Sequence, residues 1–165
     1  MTLTVPRAAL PLADLTGLVR AVAATPGLWL PRLQLPDGDE RWWTRLSTDN
    51  RVDVWLLSWL PGQSTDLHDH GDSAAAFTVV RGELSEIRAE RGGRHTAFRR
   101  KPESVTWIAP GVIHDVHGVG DEPAVSIHAY SPPLTTMNYF APGARGELTV
   151  ARTVRTHEPE EELQR

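Results

Sequence analysis

The chain has 165 residues, 40% hydrophobic and 23% charged, with a formal net charge of −4 and no cysteine. That length suits one domain with a real core, and the mild charge leaves no footprint for nucleic acid, the basic triplet Arg99-Arg100-Lys101 being too short to make one. No stretch approaches the roughly 20 apolar residues of a membrane span, no basic-flanked apolar leader opens the chain, and the lack of cysteine excludes disulfides and thiolate metal sites; a cytoplasmic protein is expected.

Residues 1–12, with Pro6 and Pro11, read as a loose arm. Asp14 then precedes Leu15, Leu18, Val19 and Val22, whose spacing predicts an amphipathic helix stopped at Pro26-Gly27. Turn residues fill 28–40. After residue 40 the texture becomes that of short strands. Residues 52–59, 76–80, 84–89, 96–98, 105–108 and 124–130 each read as a strand bounded by glycine or proline, the pattern of a sandwich or barrel. The acidic end, from Glu158 on, lies past the last strand signal and is expected to be disordered.

The histidines carry the chemistry. On a strand, residues i and i+2 share a face, so His68 and His70 can aim both imidazoles at one point. Imidazole suits Fe, Zn, Cu and Ni. His114 follows Pro110-Gly111, a turn that opens a strand, and would complete a triangle of nitrogens. His117 competes for the third place, but the Pro-Gly-x-x-His spacing selects His114. His95, after a Gly-Gly turn, and His157, in the tail, are expected to be exposed and uninvolved. Further on, Ser126, His128 and Tyr130 occupy alternate positions. Their bland reading is the polar outer face of a half-buried strand; the alternative is a hydrogen-bonded relay that orients a phenol.

Gly62, His68, His70 and Gly82, followed by Pro110-Gly111-x-x-His114, resemble the two cupin motifs, which imply an all-β cupin barrel (jelly roll) over 41–150. Residues 1–40 then form an arm and helix packed on it, and 151–165 a tail. Where many cupins add a glutamate after the histidine pair, this chain has Ala74 and Ala75. The expected ligand set is therefore three neutral nitrogens with no carboxylate, which favours an anionic incoming ligand such as a thiolate.

From about residue 42 to 140 the chain resembles the cysteine dioxygenases. The resemblance implies Fe(2+) on His68, His70 and His114, a relay of Ser126, His128 and Tyr130, and O₂ with a small thiol amino acid as substrates, in a monomer. Trp43-Thr44-Arg45 is similar to the family's Tyr-x-Arg, which makes Arg45, beside Trp43, the expected holder of the substrate carboxylate. Two departures stand out: Tyr130 has no cysteine to be cross-linked to, and Trp43 replaces a tyrosine. Cysteine sulfinic acid is the expected product. Competing readings are a dioxygenase for 3-mercaptopropionate, against which Arg45 speaks, a three-histidine zinc enzyme, and a non-catalytic cupin.

Overall fold

The apolar alternation after residue 40 produces eleven strands in the computed structural model, which describes residues 8–159. They are β1 (Trp42–Thr48), β2 (Asp53–Trp59), β3 (His68–Asp69), β4 (Ala74–Arg81), β5 (Glu83–Ala89), β6 (His95–Arg100), β7 (Val105–Ile108), β8 (Ile113–Val119), β9 (Ala124–Ser131), β10 (Thr136–Pro142) and β11 (Leu148–Arg155). One sheet runs β1-β2-β9-β4-β7 and the other β11-β10-β3-β8-β5-β6. The jelly roll is present as two sheets with free edges; neither closes on itself.

A helix, α1 (Leu12–Ala23), begins directly after Pro11 rather than at Asp14, and two short 3₁₀ turns at Pro26–Leu28 and Leu30–Arg32 follow it. Leu15 and Val19 are its fully buried residues. They pack on the outer face of the first sheet against Val54, Leu56, Val125, Ile127 and Ala129. This burial explains the composition of β9. Its odd-numbered side chains from Val125 to Ala129 face the helix cluster, so Ser126, His128 and Tyr130 face inward, between the sheets. The polar row is thus interior, and the reading of an exposed polar face is overturned. All eight residues of β9 are buried.

Between the sheets lies the main core, with Trp55, Leu57, Trp59, Phe77, Val116 and Met137 among its members. The strands β1, β10 and β11 were not resolved as strands by their sequence pattern. β11 runs to Arg155, through residues expected to belong to the tail, because it pairs along β10 from Leu148 to Arg155. The acidic run after Pro159 lies outside the described residues.

The sharpest corner is Gly82, the single residue between β4 in one sheet and β5 in the other. Its φ is +70°, and a Cβ there would sit 2.8 Å from both Ala124 Cα and the Pro123 carbonyl oxygen. Backbone cannot yield as a flexible side chain can. Gly82→Ala is therefore expected to lose at least about 2 kcal/mol of unfolding free energy, the left-handed backbone and the clash adding together. Denaturant melts of the two proteins measure it.

Candidate metal centre

Strand pairing brings the three histidines together. β3 lies between β10 and β8, with His68 directly opposite His114 in the register. His70 lies two residues on, in a turn held by Asp69, whose Oδ1 accepts from Gly71 N–H (3.0 Å) and from Asn138 Nδ2 (2.8 Å). The three rings are 2–3% exposed. Nε2 of His70 lies 3.1 Å from that of His68 and 3.4 Å from that of His114.

Outer partners decide the tautomers. His68 Nδ1 is 2.8 Å from the Asp66 carbonyl, which can only accept, so Nδ1 carries the proton and Nε2 the lone pair. His114 Nδ1 is 3.0 Å from Glu86 Oε1 and donates to it in the same way. Burial, reinforced by the neighbouring histidines, holds His68 and His70 well below the usual histidine range, so both are neutral. Ring nitrogens this close, two of them on rings held neutral, suit a cation placed between them. Three nitrogens about 2.1 Å from one ion, at right or tetrahedral angles, are themselves about 3.0–3.4 Å apart. The two spacings from His70 fit that requirement, and all three ligand nitrogens lie within 4.8 Å of one another, so the residues are suited to a metal. Among the described residues, the group that could hold one consists of these three histidines, without a carboxylate.

His117, the competing ligand, lies an odd number of residues from His114 and so faces the other way. Its Nε2 is 3.2 Å from Asp115 Oδ2. His95 and His157 are exposed.

Glu86 escaped sequence reasoning. It is fully buried on β5, beside the metal centre on β8, and Arg88 and Arg100 both pair with its carboxylate. Burial alone would raise its pKa. The hydrogen bond and charge of His114 and the two guanidiniums outweigh that and bring it down to about 2. The stabilisation of the ionised form is complete above pH 4.5 and is lost as the pH falls through about 2. No motif marks this residue, and its strand, with Glu83, Ser85 and Arg88 as further polar members, gives no sign that one carboxylate is buried.

On the opposite sheet, Ser126 Oγ lies 2.9 Å from His128 Nε2 and accepts from Trp59 Nε1, also at 2.9 Å. Phe77 stacks flat on His128, 4.8 Å between centroids. Burial, with the fields of His114 and Arg41, pushes His128 down to about 3, so it stays neutral. Tyr130 meets His128 ring to ring at 6.4 Å and His70 edge-on at 5.0 Å. Trp59, Ser126 and His128 form a hydrogen-bonded row, and the Tyr130 ring lies against both His128 and His70. Trp59 joins the row only because β2 is the neighbour of β9.

The arginines separate. Arg41 and Arg45 lie at the two ends of an alternation with Trp43, facing Trp59 and Trp55 across β1 and β2. The Arg41 guanidinium lies 4.8 Å from the Trp59 ring centroid, and its charge helps to lower both His68 and His128. Arg45 stacks on Trp55 at 4.5 Å and donates to the His157 carbonyl at 2.7 Å. The cavity against the three histidines is walled by Leu57, Trp59, Val116, His128, Tyr130 and Pro159. None of Arg41, Trp43 and Arg45 lines it; Trp43 packs against the core.

A family model described as "Cysteine dioxygenase type I" matches residues 5–142. The match includes the helical region, where the expected resemblance was loose. Among curated proteins, cysteine dioxygenase type 1 of Danio rerio is 25% identical over 140 residues, covering 77% of this chain and 68% of the relative. The Homo sapiens protein of that name is 26% identical over 139 residues, with the same coverage. Solved structures show the same fold: a double-stranded β-helix protein of Klebsiella pneumoniae (TM-score 0.53, 22% identity, 62% of this chain and 84% of that one). A cupin superfamily protein of Desulfitobacterium hafniense also matches (TM-score 0.53, 15% identity, 63% and 87%).

Outer-shell partners of metal-bound imidazole typically change metal affinity by about 10–100-fold. Glu86→Gln keeps an acceptor for His114 but removes the charge, and is expected to weaken metal binding by that factor. Competition titration of Zn(II) or Fe(II) against a chelator measures it, and an unchanged affinity would mean the charge contributes nothing.

Proposed function

The chain belongs to the cysteine dioxygenase type I family and is thus a thiol-oxidising dioxygenase; from that premise we propose that it converts L-cysteine and O₂ to cysteine sulfinic acid, using Fe(II) held by His68, His70 and His114. The observation that carries this reading is the buried face of three converging Nε2 atoms, with no acidic ligand, opposite the row of Ser126, His128 and Tyr130. Bound there, ferrous iron would offer open positions to thiolate and O₂ and relay to O₂ the four electrons that the sulfur gives up in becoming a sulfinic acid.

The protein's own groups do the rest. A ligand set that brings no negative charge favours a thiolate over a thiol, so the substrate ionises near neutral pH without a separate strong base. Tyr130 lies against both His70 and His128, where its phenol can donate to the reacting sulfur or oxygen. His128 is a neutral ring fixed by Ser126, Trp59 and Phe77, so its place and charge do not change over the working pH range. Leu57 and Val116 keep that space dry.

The substrate carboxylate is assigned to Arg41 rather than Arg45. Both are guanidinium forks suited to bidentate pairing. Arg41's charge is felt at His68 and His128, and Arg41 lies over Trp59, which walls the cavity, whereas Arg45 lies over Trp55, which does not. Arg41 escaped sequence reasoning because the local Trp-x-Arg pattern pointed to Arg45.

The Fe(II)-loaded protein is expected to consume one O₂ per cysteine and to turn over 3-mercaptopropionate more slowly; oxygen-electrode traces with the product identified by mass spectrometry check both. Absence of uptake with iron bound would remove the proposal. Zinc replacement is expected to abolish it. Arg41→Met should raise KM for cysteine at least about tenfold, the value of one lost charged hydrogen bond, with a smaller effect on kcat. Arg45→Met should not raise it.

A further inference from the structure

We propose that residues 157–159 form a lid over the metal site, latched by Arg45 and ending in Pro159 as its plug. After β11 the chain leaves the edge of the six-stranded sheet. Thr156 N–H donates to the Thr135 carbonyl (3.0 Å), which pins the start of the segment. The Thr156 hydroxyl then accepts from Glu158 N–H (3.0 Å) and donates to the Glu158 carbonyl (3.1 Å), a local turn that directs the chain toward the other sheet. There, on the edge strand β1, Arg45 Nη2 donates to the His157 carbonyl at 2.7 Å. The segment therefore bridges the free edges of both sheets.

Its end reaches the chemistry. His157 and Glu158 are exposed, whereas Pro159 is buried and walls the cavity that contains His68, His70, His114, His128 and Tyr130. With Pro159 in place that cavity measures about 10 Å³. A single water needs roughly 10–15 Å³, so no thiol amino acid enters while the segment is seated. Substrate entry requires it to leave.

The latch is built to release. Arg45 Nε is buried without a hydrogen-bond partner among the described residues, so the dock holds the segment by one carbonyl and leaves a donor unsatisfied. An incoming acceptor group could compete for it. Contacts this few place a segment at the low end of local stability.

The test needs neither metal nor turnover, so it stands even where the oxygenase reading fails. Full-length, metal-free protein is treated with diethyl pyrocarbonate, which acylates accessible imidazoles, and each histidine is followed by peptide mass spectrometry with exposed His95 as the internal standard. Native protein is expected to react slowly at His70 and His114. Arg45→Ala removes the charged latch bond and should speed acylation there by about tenfold relative to His95. Pro159→Gly, which leaves every strand residue intact, should act in the same direction and decides the matter if Arg45→Ala loses its cooperative melt. Unchanged rates in the folded variants, or native triad histidines that react as fast as His95, would overturn the proposal.

Discussion

The centre of this molecule is an electrostatic demand created by strand register. Pairing His68 with His114 across β3 and β8 brings three buried imidazoles to one point. Two of those rings are oriented by outer acceptors, the Asp66 carbonyl and the Glu86 carboxylate. Burial resists protonation of His68 and His70. A cation suits that point, and the absence of an acidic ligand leaves most of its charge for whatever binds next. The negative charge nearest the site is one layer out, on Glu86, and is matched by Arg88 and Arg100.

The opposing sheet serves the same point. β9 is buried on both faces, by α1 on one side and the intersheet core on the other. This permits three polar side chains to be interior without losing the strand, since the apolar set of Val125, Ile127 and Ala129 anchors it to the helix. Each interior polar atom then needs a partner. Ser126, His128 and Trp59 supply one another, and flat stacking on Phe77 fixes the ring. Rigidity of this row follows from packing, not from hydrogen bonds alone. The match to the cysteine dioxygenase family over residues 5–142 covers helix, both sheets and site together.

Much of the site was legible in the residues. His68, His70 and His114 stand in motif spacing, and Ser126, His128 and Tyr130 stand on alternate positions of a strand that its own apolar residues reveal. Glu86, Trp59 and Arg41 were not legible, since each acts across a strand boundary and has no motif. β10 and β11 were missed because edge and near-edge strands keep exposed polar residues and so lack clean alternation. Arg41 and Arg45 are four residues apart and of equal parity, so no face argument separates them; in the fold one lies over Trp59 and the other over Trp55.

The sequence by itself determined the class of fold and pointed to the three histidines that the fold gathers, because strand period and motif spacing are local properties of the chain. Only the tertiary structure decided which outer acceptors His68 and His114 meet, that the Ser–His row is interior, and that Pro159 is one wall of the cavity. Those outcomes depend on register and on contacts between residues far apart in the chain, where no local pattern carries the information.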